Sequence, residues 1–241
     1  MEAEITELLD SLHFKGMASA IKEELARADR EAATPAEVLL RLLKEESRHR
    51  REQSLCYRLK QAKIPWSWSL ETFPFSRQPS INQGQIRSLA GLAFLQRAEN
   101  IVFIGHPGTG KTGLAISLLR QAILGQYRGR FFNAQELMDT LYASLADRST
   151  SQTLKQLAGY DLLVIDELGY LTLKPEQANA FFKLLDLRYG HKSTIITTNL
   201  DFPEWYDIFQ RKPLVDALLD RLRHQCVTIR INGPSLRGPS S

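Results

Sequence analysis

The chain has 241 residues, of which 43% are hydrophobic and 24% are charged, and its formal net charge is +4. This length allows one sizeable domain and a small one, and the composition is that of a globular protein rather than a disordered chain. No apolar stretch reaches membrane-spanning length and the acidic N-terminus lacks a signal-peptide core, which excludes a membrane partner and predicts a cytoplasmic protein. Cys56 and Cys226 lack metal-ligand or redox spacing and fit reduced thiols.

Charge is distributed unevenly along the chain. Residues 1–40 carry four basic against nine acidic residues, residues 41–63 carry eight against three, and residues 208–241 carry six against two. The basic blocks suit an acidic partner, most simply a phosphate backbone. A solvated helix face, or association between the acidic and basic segments, explains the pattern equally well.

The first part of the chain, residues 1–63, is predicted to be a small all-α domain. Apolar side chains recur at helical spacing at Ile5, Leu8, Leu9 and Leu12. A kink is expected near Gly16. The run Thr34-Pro35-Ala36-Glu37 matches a capping box with proline at the first helical position, so it starts a long helix that must stop before Pro65.

The next segment, residues 64–82, combines prolines with aromatic residues. Its members are Pro65, Trp66, Trp68, Phe73, Phe75, Pro74 and Pro79. This composition is neither that of a helix nor that of a long strand. We expect a connector that packs on the following domain or on a neighbouring subunit.

From residue 83 to residue 233, strand and helix patterns alternate. Strands are expected near 100–105, 128–133, 161–166, 193–198 and 226–231, and helices near 84–97, 111–125, 135–146, 175–189 and 213–222. The alternation predicts an α/β domain with a parallel sheet and helices on both faces. The remaining residues, 234–241, are expected to form a flexible tail.

A phosphate-binding loop follows the first of these strands. Residues 105–112 read GHPGTGKT and fit G-x-x-x-x-G-K-[ST] between an apolar strand and a helix. Backbone N–H groups of such a loop cradle phosphate oxygens, and the lysine and threonine reach the β- and γ-phosphates and Mg²⁺. The predicted nucleotide-binding residues are Gly105, His106, Pro107, Gly108, Thr109, Gly110, Lys111, Thr112 and Gly113. We therefore expect a P-loop NTPase that uses ATP and Mg²⁺.

Two later strands also end in polar residues. Asp166 and Glu167 follow a buried apolar run, so they are expected beside the P-loop at the carboxyl edge of the sheet. Asp166, with Thr112, can hold Mg²⁺, and Glu167 can polarise a water for attack on the γ-phosphate. Asn199 ends the next strand and can contact the γ-phosphate or the water, although an asparagine here is as often a simple turn former.

These motifs have the order and spacing found in AAA+ ATPases. The stretches IVFIGHPGTGKTGLA, LLVIDELGYL and ALLDRLRHQCVTIRINGPSLR further resemble the IstB-type transposition helper proteins of insertion sequences. Those proteins are relatives of helicase loaders and replication initiators of the DnaC and DnaA kind. The resemblance spans nearly the whole chain and implies an AAA+ ATPase that forms a homo-oligomer on duplex DNA and assists a partner transposase.

The resemblance also implies individual roles. It implies that Glu167 polarises the attacking water and that Asn199 is the first sensor. It also implies that Arg221 is an arginine finger that contacts the ATP of a neighbouring subunit. With Lys111 these form the predicted catalytic set. Arg188 is the second candidate for the finger, and an ordinary salt bridge of Arg221 to Asp220 or Asp216 is the plain alternative.

The chain departs from the family pattern in three respects. Gly113 stands where the family usually has histidine, and His106 stands where it often has proline. There is also no room after residue 231 for the C-terminal helical lid found in many AAA+ proteins. Nucleotide contacts are therefore expected from the ATPase core and from a neighbouring subunit.

Candidate DNA contacts lie in the basic helix of the N-terminal region. Lys44, Arg48 and Arg51 share one face at helical spacing. Three other functions remain open at this point: a helicase loader that acts on single-stranded DNA, a P-loop kinase of a small molecule, and a scaffold that binds ATP without turnover.

Overall fold

The computed structural model describes residues 2–171, 173–209 and 212–237. The chain divides into two compact units after Arg58, and each unit is described by itself. Within the described ranges, no helix is both long enough and apolar enough to cross a membrane.

The N-terminal unit is built from helices, as the sequence predicts. They are α1 (Glu2–Ser11), α2 (Lys15–Glu31) and α3 (Pro35–Gln61), the last of which runs past the division between the units. Met17, Ile21 and Leu42 form its small apolar core. The kink predicted near Gly16 lies instead at His13, where φ is 60°, and Gly16 falls inside α2.

Gly16 allows α2 and α3 to approach each other closely. A Cβ atom at this position would lie 2.7 Å from His49 Cβ and 2.8 Å from Glu46 Cα. The buried Glu46 carboxylate accepts the N–H of Gly16 at 2.8 Å and that of Met17 at 3.2 Å. Because the first N–H groups of a helix lack partners within the helix, this side chain of α3 caps the start of α2.

The second unit contains the five predicted strands, which form one parallel sheet in the order β2-β3-β4-β1-β5. Their bounds are β1 (Asn100–Gly105), β2 (Gly129–Asn133), β3 (Leu162–Asp166), β4 (Ser193–Thr198) and β5 (Cys226–Ile231). Every residue of β1, β3 and β4 is buried. Such complete burial is expected of central strands that helices cover on both faces.

Eight helices are described in the second unit. They are α4 (Gln83–Ala90), α5 (Ala93–Gln96), α6 (Lys111–Leu124), α7 (Ala134–Ala146), α8 (Thr150–Ala158), α9 (Pro175–Arg188), α10 (Trp205–Phe209) and α11 (Lys212–His224). The helix predicted at 84–97 is divided into α4 and α5, because Leu92 takes a left-handed conformation with φ of 64°. Helices α8 and α10 were not predicted.

The strand register brings the ends of the strands to one edge. Ile104 pairs with Thr198, and Asn133 pairs with Asp166. Consequently the P-loop after β1, Glu167 after β3 and Asn199 after β4 all emerge at the carboxyl edge of the sheet. This edge is where open parallel sheets bind ligands.

The close contact at Gly16 makes a prediction about stability. Gly16→Ala should destabilise the N-terminal unit by about 1–3 kcal/mol, since the added methyl group meets backbone atoms of α3 that cannot move independently. The measurement is urea unfolding followed by far-UV circular dichroism.

Gly84→Ala in α4 is the matched control. A Cβ at Gly84 would meet only one atom, Asn82 Oδ1 at 3.2 Å, and alanine is the better helix former. If Gly16→Ala and the unmodified protein had equal urea midpoints, α2 and α3 could move apart without a loss of stability, and the prediction would be wrong.

Candidate nucleotide-binding site

The P-loop connects β1 directly to α6. Gly108 and Gly110 have φ values of 81° and 96°, in the left-handed region that glycine adopts without strain. The Thr109 hydroxyl donates to the His106 carbonyl at 2.8 Å and closes the turn. The sequence reading of this stretch as a strand, a glycine-rich turn and a helix is therefore confirmed.

Lys111 points back into this loop. Its Nζ donates to the carbonyl oxygens of Gly105 at 2.6 Å and His106 at 2.8 Å. Burial lowers the pKa of the Lys111 ammonium, and the nearby carboxylates of Asp166 and Glu167 oppose that effect. The side chain is thus held inside the turn, and its contact with phosphate stays a prediction.

Asp166 is the buried centre of the site. Its Oδ1 accepts the Thr112 hydroxyl at 2.8 Å and the Thr197 hydroxyl at 2.5 Å. Burial raises the pKa of the Asp166 carboxyl, and the two hydroxyl donors counteract part of this rise. The two residues predicted to hold metal, Thr112 and Asp166, are therefore in direct contact.

This donor set fits Mg²⁺, which prefers oxygen ligands and usually keeps several waters beside one or two carboxylates and substrate phosphates. Thr112 supplies a hydroxyl oxygen and Asp166 a carboxylate. No group of three or more His, Cys, Asp or Glu side chains suited to a metal occurs among the described residues. A site here would depend on phosphate oxygens and water for its remaining ligands.

Glu167 adopts an unusual backbone conformation, with φ of 63° and ψ of 40°. Its N–H donates to Thr197 Oγ1 at 3.0 Å, and its Oε2 accepts the Asn133 side-chain amide at 3.1 Å. A left-handed residue other than glycine costs about 1–2 kcal/mol, and here the two hydrogen bonds help to hold it. Asn133 was missed by the sequence analysis, although its place at the end of β2 is the same kind of signal as Asp166 and Asn199.

Asn199 lies on the same edge and lines the same cavity as Glu167. Its Oδ1 is buried and accepts no hydrogen bond from the residues that the structure describes. A buried acceptor of this kind can accept a hydrogen bond from a water or a ligand. Its role as a sensor stays a prediction.

Of these groups, Lys111, Thr112, Glu167 and Asn199 line one cavity of about 290 Å³, near the lower end of the range for small-molecule sites. Six further lining residues were not assigned to the site from the sequence: Trp66, Trp68, Tyr170, Thr198, Leu236 and Arg237. The cavity thus includes parts of both the connector and the tail.

The tail lies against the P-loop where it is described. The Leu236 N–H donates to the Gly108 carbonyl at 2.8 Å, and the Gln78 side-chain amide donates to the Pro234 carbonyl. The sequence predicts a flexible tail over residues 234–241. Its described part, residues 234–237, makes these contacts, whereas residues 238–241 lie outside the described residues.

Arg221 does not line this cavity. Its Nη1 is 2.9 Å from Asp186 Oδ1, so its partner within the chain is neither Asp220 nor Asp216. The role of Arg221 as an arginine finger for a neighbouring subunit stays a prediction.

Arg188, the second candidate for the finger, is buried inside the fold. Its Nη1 donates to the carbonyls of Leu157 at 3.0 Å and Tyr160 at 2.7 Å. The side chain is 1% exposed, and burial lowers the pKa of its guanidinium to about 10. This second candidate is wrong, because Arg188 cannot reach another subunit without breaking up the core.

The three candidate DNA contacts, Lys44, Arg48 and Arg51, are exposed on α3. Arg48 pairs with Glu45 and Glu52 of the same helix, at 2.5 and 3.3 Å. Such exposed pairs contribute little energy and can exchange for phosphate. DNA contact by these residues stays a prediction.

Comparison with known proteins agrees with this geometry. Residues 7–240 match the family model described as IstB-like ATP binding protein. A protein of Pseudomonas aeruginosa, named for ATP binding in insertion sequence IS21, is 37% identical over 97% of this chain and 88% of its own length. A relative from insertion sequence IS5376 of Geobacillus stearothermophilus is 35% identical, over 98% of this chain and 94% of its own.

Solved structures with the same fold include two replication proteins. The DnaC helicase loader superposes with a TM-score of 0.60 at 27% identity, over 70% of this chain and 99% of the loader. The replication initiator DnaA, bound to AMPPCP and single-stranded DNA, has a TM-score of 0.60 at 18% identity, over 70% and 51%. The fold is therefore that of a P-loop AAA+ protein, and the chain belongs to the IstB-like ATP-binding family of insertion sequences.

Proposed function

We propose that this protein is a Mg²⁺-dependent ATP hydrolase that assembles on duplex DNA and assists a partner transposase. The observation that carries the proposal is the convergence of Lys111, Thr112, Asp166, Glu167 and Asn199 on one edge of the sheet. Relatives named for ATP binding in insertion sequences support both the nucleotide and the transposition context.

The proposed mechanism assigns one task to each group. Lys111 and the P-loop N–H groups bind the β- and γ-phosphates, while Thr112 and Asp166 hold Mg²⁺, which would neutralise charge on the phosphate oxygens. Glu167 orients a water and takes up one of its protons as the water oxygen bonds to the γ-phosphorus, while the bond from the γ-phosphorus to the β–γ bridging oxygen breaks and ADP leaves. Asn133 holds one oxygen of that carboxylate, so it positions Glu167 rather than reacting itself.

Two variants separate binding from hydrolysis. Glu167→Gln should lower the turnover of ATP about 100- to 10,000-fold, because an amide cannot accept the proton, while ATP affinity is retained. Lys111→Ala should abolish ATP binding. Turnover is measured by phosphate release and affinity by calorimetry.

Glu176→Gln removes the same charge from an exposed position at the start of α9 and is the control. If Glu167→Gln hydrolysed ATP at the wild-type rate, Glu167 would have no part in the reaction. A scaffold without turnover would show ATP binding and no phosphate release in any variant.

Arg221 is proposed to complete the site of a neighbouring subunit. Its ion pair with Asp186 is partly exposed, since the two side chains are 42% and 56% accessible. An exposed pair of this kind contributes at most about 1 kcal/mol, so the guanidinium is free to exchange Asp186 for a phosphate. Turnover would then depend on assembly.

Mixing two inactive variants tests this arrangement. Arg221→Ala alone should lower turnover about 1,000-fold with ATP affinity unchanged. Combined with Glu167→Gln protein, it should regain activity, because the intact Glu167 of one subunit then meets the intact Arg221 of the other. Phosphate release is measured across mixing ratios.

Arg230→Ala is the matched control, since Arg230 forms a similar exposed pair with Asp201 at 2.7 Å. It should keep wild-type turnover. A mixture that stays inactive at every ratio would limit Arg221 to a structural role within its own chain.

DNA is proposed to bind the exposed basic face of α3. The alternative, a helicase loader acting on single strands, is favoured by one observation, the likeness to the DnaC helicase loader over 99% of that protein. Phosphate contacts by lysine and arginine do not discriminate sequence, and each contributes about −0.9 to the slope of log affinity against log salt.

The test measures ATP turnover without DNA, with duplex DNA and with single-stranded DNA of equal length. Stimulation mainly by duplex supports the transposition helper, and stimulation mainly by single strands supports the loader. Replacing Lys44, Arg48 and Arg51 by alanine should remove the stimulation and reduce the salt slope of DNA binding by about 2–3.

Replacing Lys15, Lys22 and Arg30 by alanine removes the same charge from exposed positions in α2. This variant should keep both the stimulation of ATP turnover by DNA and the salt slope of DNA binding. An unchanged salt slope in the α3 variant would place the DNA contacts elsewhere. Activity that DNA does not affect would favour the small-molecule kinase.

A further inference from the structure

Two tryptophans of the connector lie at the nucleotide cavity, and the hydrolysis mechanism uses neither of them. Trp66 and Trp68 both line the cavity together with Lys111 and Thr112. Trp66 is 56% exposed, so a face of its indole is accessible at this cavity.

Gly113 makes the space that the Trp68 ring occupies. A Cβ atom at Gly113 would lie 3.2 Å from Trp68 Cδ2 and 3.3 Å from Cε3. Both distances are tighter than ordinary van der Waals contact, so a side chain at this position would crowd the indole. The absence of a side chain just after Thr112 therefore lets an aromatic ring sit against the first turn of α6.

The Phe73 ring packs against the Trp68 ring in a tilted arrangement. Its own ring is 4% exposed and lies 6.2 Å from the Trp68 ring, centroid to centroid. It also packs against the P-loop, because a Cβ at Gly110 would be 2.8 Å from Phe73 Cε2. The indole of Trp68 is thus backed by a buried aromatic ring, and its position is fixed relative to the P-loop.

The cavity consequently has two chemically different parts. One part carries Lys111, Thr112, Glu167 and Asn199, and the other is formed by the Trp66 and Trp68 rings with Leu236. A nucleoside triphosphate has the same division into a charged phosphate chain and a flat aromatic base. We propose that Trp66 and Trp68 form a stacking surface for the base of the nucleotide whose phosphates bind the P-loop.

This inference rests on the proposed function, since it names a second contact for the same ligand. Stacking of a base on an aromatic side chain is strong enough for its loss to be measured, about tenfold or more in affinity. The exposed face of Trp66 would also suit a base of single-stranded DNA, which the test separates from the nucleotide.

The experiment compares a nucleotide analogue with a triphosphate that lacks the nucleoside. Binding of a non-hydrolysable β,γ-methylene analogue of ATP, of inorganic tripolyphosphate and of a single-stranded DNA oligonucleotide to the full chain is measured by calorimetry. Trp66→Leu and Trp68→Leu should weaken the ATP analogue about tenfold or more and leave tripolyphosphate unchanged. Trp68→Phe keeps an aromatic face and should restore most of the affinity.

Two further variants guard against a folding defect. Gly113→Ala should favour helix α6 and yet lower affinity for the ATP analogue about threefold or more, because its methyl group displaces Trp68. Tyr142→Leu is the matched control, since Tyr142 is an exposed aromatic residue, 43% accessible, that does not line the cavity. It should bind both ligands as the unmodified protein does.

Three results would overturn the inference. They are unchanged affinity of the leucine variants for the ATP analogue, equal losses for both ligands, and a loss confined to single-stranded DNA. Lys111→Ala keeps the two proposals apart, because it should weaken tripolyphosphate and the ATP analogue together. If the unmodified protein binds neither ligand, the proposed function fails along with the inference.

Discussion

The site depends on the buried carboxylate of Asp166. Its Oδ1 accepts hydrogen bonds from the hydroxyl groups of Thr112 on α6 and Thr197 on β4, so one atom at the end of β3 connects three elements of the fold. Thr197 also accepts the N–H of Glu167 and thereby fixes the residue beside the carboxylate. A buried charge without such partners would be strongly unfavourable, which makes the arrangement of the surrounding elements a condition for this site.

Most of the fold could be predicted because its determinants are local. The apolar runs of β1, β3 and β4 and the glycine-rich turn before α6 are short continuous signals, and each corresponds to an element at nearly the predicted place. The helices that were predicted wrongly or missed depend on features that are not continuous sequence signals. The break between α4 and α5 depends on a left-handed residue, Leu92, that no pattern marks, and α10 has only five residues.

The candidate site was predictable only in part, for the same reason. Lys111, Thr112, Asp166 and Glu167 belong to contiguous motifs, whereas the contacts of Asn133 and Arg221 join residues 34 and 35 positions away along the chain. Arg188 shows the limit most clearly. It was the second candidate for the finger, but its guanidinium donates to carbonyl oxygens in the last turn of α8 and just after that helix, contacts that tertiary packing alone creates.

The bond between Leu236 and Gly108 joins the P-loop to a segment on the far side of β5. A ligand that reshapes the P-loop so that this hydrogen bond breaks would therefore also release the tail. Thermodynamic linkage makes this relation reciprocal: a phosphate ligand that reshapes the loop must change the free energy of the tail, and a molecule that captures residues 234–237 must change phosphate affinity by the same factor.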